Sequence, residues 1–149
     1  GYCLVASAKY GNMRLISVVM GTDSEQARSL ESEKMLDYGF RFFETYSLYN
    51  AYEPLDVERV WQGNTNQLQL GISDPLYVTV PKGQHTQLKA TGYINKHIMA
   101  PVIAGNTYGR LQISLGDQVI SERPLIALSS IEVGNLWHRL IDSFLLFFD

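Results

Sequence analysis

A mixed α+β fold is predicted from three observations. Two apolar strands and a helix occupy the first 45 residues, short strands broken by turn residues follow from about 46 to 130, and an amphipathic helix comes last. The expected organisation is a strand-strand-helix piece of a larger domain over residues 1–45, a small all-β sandwich-like domain over 46–130, and an amphipathic helix over 131–149. The first piece reads as the end of a domain whose beginning lies outside the chain.

Residues 2–8 and 13–20 are apolar almost without interruption, the pattern of strands covered on both faces rather than one. Tyr10-Gly11-Asn12 supplies the turn between them. A lone hairpin is marginal in water, and covering both its faces takes more than the single helix that follows. That helix is predicted over 22–43, with Thr22, Asp23 or Ser24 able to cap its free N–H groups. Ala27, Leu30 and Met35 share one face while Leu36, Phe40 and Phe43 line another, so the apolar surface is broader than one stripe. Arg28, in the first turns, has Glu25 and Glu31 three residues away on either side as ion-pair partners. Cys3 is the only cysteine, which excludes an intrachain disulfide. It reads as a small core residue, with a reactive thiol as the sharper alternative.

Candidate strands follow at 59–61, 67–70, 76–80, 88–94, 99–103, 108–114, 118–121 and 125–128, with Gly116-Asp117 as a hairpin turn. Short strands at this spacing predict a compact sandwich or small barrel. The segment 101–105 with Gly109 has a faint likeness to lipoyl or biotinyl carrier domains, but the tip at Gly116-Asp117-Gln118 offers no lysine to modify.

In the last helix, for which Gly134 and Asn135 provide the start, Leu136, Trp137, Leu140, Ile141, Phe144, Leu145 and Phe148 fall on one face, and Asn135, His138, Arg139, Asp142 and Ser143 on the other. Some 14 helical residues reach roughly 21 Å at about 1.5 Å each, short of the roughly 30 Å hydrocarbon core. Such a helix cannot span a bilayer but can lie in its interface. Docking on its own domain or on a second copy is the alternative. With Arg139 as its one clear cation, insertion of apolar side chains would have to outweigh attraction to anionic lipid.

Of the 149 residues 46% are hydrophobic and 18% charged, enough apolar chain for a real core. A net charge of -3 leaves no basic footprint for nucleic acid. His85, His97 and His138 lack metal-ligand spacing, no glycine loop suits a phosphate, and no cofactor is expected.

Three runs carry a family resemblance: Gly1-Tyr2-Cys3-Leu4-Val5-Ala6-Ser7-Ala8, Met13-Arg14-Leu15-Ile16-Ser17-Val18-Val19-Met20-Gly21, and Tyr38-Gly39-Phe40-Arg41-Phe42-Phe43-Glu44-Thr45. It continues through Val78-Thr79-Val80-Pro81-Lys82-Gly83, Leu88-Lys89-Ala90 and Glu122-Arg123-Pro124-Leu125 to the last helix. Across essentially its whole length the chain resembles the low-molecular-mass penicillin-binding proteins, serine D-alanyl-D-alanine carboxypeptidases of the penicillin-binding protein 5 type. The resemblance implies the last strands and helix of a penicillin-binding/β-lactamase-like catalytic domain, then a β-domain that serves as spacer or partner platform, then a membrane-resting helix.

That family's chemistry uses a Ser-x-x-Lys nucleophile and base, a Ser-x-Asn element and a Lys-Thr-Gly strand. None of the three occurs in this sequence, and by comparison Lys-Thr-Gly would fall a few residues before Gly1. No catalytic residue is therefore assigned, and the chain alone is predicted to be inactive. The resemblance does place Arg28 where the family binds the substrate's terminal carboxylate, a task suited to a guanidinium near a helix N-terminus. It further implies as partners an N-terminal catalytic half of the same protein, peptidoglycan pentapeptides, β-lactams and a membrane surface, with a periplasmic site peripheral to the inner membrane. The alternative is a non-catalytic extracytoplasmic module that anchors a partner near the membrane.

Overall fold

The structure, a computed structural model, describes residues 1–147. It is mixed α+β as the sequence predicts, mostly strand with two helices. The chain divides into two compact units, residues 1–48 with 77–87, and residues 49–76 with 88–149.

In the first unit β1 (Tyr2–Tyr10) and β2 (Met13–Thr22) form an antiparallel hairpin, turned at Gly11 with φ 57°. α1 (Glu25–Phe42) follows, and of the three candidate caps Ser24 is the one used: its side chain accepts the Ala27 N–H at 3.1 Å. α1 packs on the hairpin, whose residues alternate between facing it and facing away. Met13, Ser17 and Val19 are buried, while Val5, Ile16, Val18 and Met20 are exposed, from 54% for Val18 to 76% for Met20. Within this chain the hairpin is covered on one face, and the single helix leaves the apolar residues of the other face exposed.

Within this chain Cys3 is exposed on the uncovered side of β1, so it is not a core residue of this unit as predicted. The helix also departs from expectation. Leu30 and Met35 are each half-exposed, whereas Leu36 and Phe40 of the other predicted face are half-buried, Phe40 edge-on to Tyr10 with ring centres 6.2 Å apart, and small groups complete the contact with the strands. Ser17 and Ser32 are both buried and share a hydroxyl–hydroxyl bond of 2.5 Å, and a Cβ on Gly39 would collide with the end of the Leu15 side chain. Small residues let helix and sheet approach closely.

β3 (Phe43–Tyr49) leaves α1 directly and pairs with β6 (Leu76–Pro81). A strand therefore runs across the sequence-drawn boundary at 45–46. Thr45 and Thr79 share a hydroxyl bond of 2.7 Å, and the Lys82 N–H donates to the Phe42 carbonyl at 2.9 Å. A 3₁₀ turn at His85–Gln87 ends this excursion.

The second unit holds β4 (Asp56–Trp61), β5 (Gln67–Gly71), β7 (Leu88–Ile94), β8 (Ile98–Met99), β9 (Thr107–Leu115) and β10 (Gln118–Ala127). They form one sheet in the order β7-β9-β10-β5-β4-β8, antiparallel except for β4 against β8. Val60, Leu68, Leu70, Ile98, Val102 and Ala127 form its core with Ile131, each at most 4% exposed. The candidate strand 99–103 shrinks to β8 plus a lone bridge from Val102 to Ile131. Candidates 118–121 and 125–128 prove to be one strand with two register irregularities, running through Pro124. α2 (Leu136–Phe147) closes the unit.

Candidate functional site

Arg28 and α2 are the places where sequence reading assigned function. Arg28 sits one turn into α1 and is held from three directions. Its Nη1 donates to the Cys3 carbonyl at 3.0 Å, its Nη2 to Glu25 Oε1 at 3.3 Å, and its guanidinium carbon lies 5.9 Å from the centre of the Tyr2 ring. Of the two acids considered, Glu25 is the partner, whereas Glu31 accepts from Lys34 at 2.9 Å. The side chain remains 30% accessible, so the guanidinium is both fixed in place and reachable from solvent.

A second polar group lies near the start of β3. The Tyr46 hydroxyl donates to Glu44 Oε2 at 2.7 Å and stands 3.2 Å from His85 Nδ1, with the two rings 5.1 Å apart. The bond to Glu44 holds the phenol's pKa above its ordinary value, with desolvation and the carboxylate's charge adding to it. Among the described residues no group of three or more His, Cys, Asp or Glu side chains could hold a metal ion.

α2 begins as predicted, at an Asn135 cap whose Oδ1 accepts the His138 N–H at 3.1 Å. Its hydrophobic side chains are turned outward. Leu136, Trp137, Leu140, Ile141, Phe144 and Leu145 are exposed, from 42% at Leu145 to 75% at Trp137. Phe148, assigned to the same face, lies outside the described residues.

The polar side of the helix faces its own unit. Asp142 Oδ2 accepts the backbone N–H of Gln62 at 2.6 Å, and Oδ1 pairs with Arg59 Nη2 at 3.2 Å. Gln62 Nε2 reaches Ser143 Oγ at 3.0 Å. Asp142 is the sheltered member, its side chain 14% exposed, and Arg59 in turn stacks over Trp61 at 3.8 Å. Ahead of the helix, Gly134 N–H donates to the Gln62 carbonyl at 2.8 Å, and Gly63 bridges Val133. A side chain at Gly134 would meet the Gly63 carbonyl oxygen at 2.6 Å. Asp142 and Ser143 were legible as polar-face residues, but Arg59 and Gln62 were not legible as their partners. The Gln62-Gly63-Asn64 turn is the only local signal they carry.

Residues 43–133 match the family described as penicillin-binding protein 5, C-terminal domain. The chain is 39% identical over 149 residues to the D-alanyl-D-alanine carboxypeptidase DacA of Escherichia coli (strain K12), a match that takes in 99% of the chain and 37% of that protein. It is 40% identical over 143 residues to DacC, a D-alanyl-D-alanine carboxypeptidase of the same organism, taking in 95% of the chain and 36% of DacC. Penicillin-binding protein 5 from Haemophilus influenzae superposes with a TM-score of 0.83 at 36% identity, covering 89% of the chain and 39% of that structure. The chain thus spans a little over a third of the length of the relatives it matches, 37% for DacA.

Proposed function

The chain belongs to the penicillin-binding protein 5 C-terminal domain family, and from that membership we propose that it is the C-terminal portion of a serine-type D-alanyl-D-alanine carboxypeptidase. The observation that carries the reading is the continuous likeness to DacA across 99% of the chain, which includes the strand-strand-helix piece ahead of the family domain as well as the last helix. The working protein removes the terminal D-alanine of peptidoglycan pentapeptides through a serine acyl-enzyme, and β-lactams acylate the same serine. The nucleophile and its lysine come from an N-terminal catalytic half, because the chain has neither Ser-x-x-Lys nor Lys-Thr-Gly.

Each segment has a part in that arrangement. Residues 1–45 complete the catalytic domain, and the outward apolar side of β1 and β2 is the surface the N-terminal half covers. Arg28 binds the terminal carboxylate of the pentapeptide: a guanidinium fixed by Glu25 and the Cys3 carbonyl spends little entropy on forming a further paired hydrogen bond. Residues 46–130 form the β-domain that separates the active site from the membrane. Residues 131–149 rest on the periplasmic face of the inner membrane through Leu136, Trp137, Leu140, Ile141, Phe144, Leu145 and Phe148. No described helix is long and apolar enough to cross a membrane, and an exposed apolar face on a 12-residue helix fits the interface instead.

A fluorescent penicillin tests the enzymatic part. The purified 16.8 kDa chain should take up no label and release no D-alanine, whereas a longer protein containing it should do both. Acylation of the 16.8 kDa species, or a longer protein that stays unlabelled, would overturn the reading, the second outcome in favour of a non-catalytic anchoring module.

A further inference from the structure

A 12-residue helix is marginal in water by itself, and the packing of an apolar face normally stabilises it. In α2, Leu136, Trp137, Leu140 and Ile141 supply little of it, at 54–75% exposure. Among the described residues the polar attachments of α2 come at two points. The first is the backbone junction of Val133 and Gly134 with Gln62 and Gly63. The second, two turns on, is Asp142 and Ser143 on Arg59 and Gln62. One point of attachment leaves a rod free to swing and roll, but two fix its direction and its rotation about its own axis.

Gln62 carries both points. Its carbonyl receives Gly134, its N–H goes to Asp142 and its amide side chain to Ser143. It does so with φ 59°, in the left-handed region that a residue with a side chain rarely occupies. Such a conformation persists where surrounding contacts impose it, and three bonds to the α2 segment are those contacts. Among the helix's polar residues, Asp142 is the one drawn in from solvent.

We propose that Asp142, seated on Gln62 and Arg59, is a positioning residue that sets the roll of α2, so that Leu136, Trp137, Leu140 and Ile141 are presented together to a lipid surface. The inference rests on the membrane-contact reading above. A helix held in its bound orientation loses less freedom on insertion than one that must find it.

The test uses the full chain with Cys3→Ser, spin-labelled at Lys89→Cys in the second unit and at Arg139→Cys on α2. Without vesicles, the label-to-label distance distribution should be narrow. It should broaden in Asp142→Ala and broaden partially in Asp142→Asn, which keeps an acceptor for the Gln62 N–H but loses the charge facing Arg59. On vesicles of phosphatidylethanolamine and phosphatidylglycerol, Asp142→Ala should bind about threefold to tenfold more weakly, the cost of ordering a loosened helix. Leu136→Ser with Leu140→Ser should abolish vesicle binding and leave the distance distribution unchanged.

An unchanged distribution in Asp142→Ala overturns the latch, whatever the vesicles show. A broadened distribution with undiminished binding overturns its role in presentation. Vesicle binding that survives the two serine substitutions removes the membrane reading itself, and the distance measurement still judges the latch separately.

Discussion

The bond between Ser17 and Ser32 lies where helix and hairpin meet, with both residues at most 3% exposed. The sequence marks neither serine: Ser17 interrupts an apolar run and Ser32 lies between Glu31 and Glu33, and their meeting shows only when α1 is laid across β2. Removing one hydroxyl strands the other in a dry site, so Ser32→Ala should cost about 1–3 kcal/mol in a denaturant titration. Replacing both removes the unpaired group as well, so the double alanine variant should cost less than the sum of the singles. Strict additivity would show that the two hydroxyls do not depend on each other. Tyr46 allows a pH prediction. Its raised pKa means that the bond to Glu44 stabilises the fold below the unfolded tyrosine pKa of 10.0 and is lost as pH rises through the higher folded value. Ultraviolet titration should therefore lose a tyrosine that ionises above the ordinary value in Tyr46→Phe, and an unchanged curve would refute the assignment. Arg28 shows the limit of spacing as a guide. Position along the helix named Glu25 and Glu31 as equal partners, and only the course of β1, which brings the Cys3 carbonyl to the same guanidinium, distinguishes them.

Among the elements, those with a strong local signal lay where the sequence put them. The cap at Ser24, the turn at Gly116-Asp117 and the start at Asn135 each depend on one or two residues with a specific backbone role, and each is visible without tertiary context. β10 was read as two strands with Pro124 in the gap between them, where a proline usually marks a strand end. It is accommodated inside β10 because the first part of that strand has a neighbour on one side only. β5 joins at Ile126 and Ala127, beyond the proline. β3 was missed for the opposite reason: helix and strand join at Phe42–Phe43 with no breaker between them. The helical face of α2 was legible, but which side it turns to its own unit was not, since that depends on Gln62 and Arg59, some 80 residues away. Because Leu136, Trp137, Leu140 and Ile141 are exposed, the cap of α2 carries a large share of its stability. Asn135→Ala should cost the helix about 1 kcal/mol and speed amide exchange across its first turn, while the core amides of Val60, Leu68 and Leu70 exchange as before. Equal exchange in the two proteins would mean that the latch alone holds the helix.

For the molecule as a whole, the continuous apolar runs of β1 and β2 carried the most information. They rightly mark strands with apolar residues on both sides, but α1 covers just one of those sides within this chain. The other side presents Val5 beside Val18, with Ile16 and Met20 along the same strand, at 54–76% exposure. A contiguous apolar face of this kind tends to find a partner, and in the isolated chain the only partner on hand is a second copy. Sedimentation velocity over a rising concentration series should therefore show self-association of the isolated chain. Ile16→Thr with Val18→Thr should abolish it, since threonine keeps the β-branched fit of a strand while making the surface polar. A longer protein that carries the catalytic half should stay monomeric over the same series, because the face is then covered from within. If the isolated chain is monomeric throughout, the outward face needs no cover, and the assignment of residues 1–45 to an incomplete domain loses its physical basis.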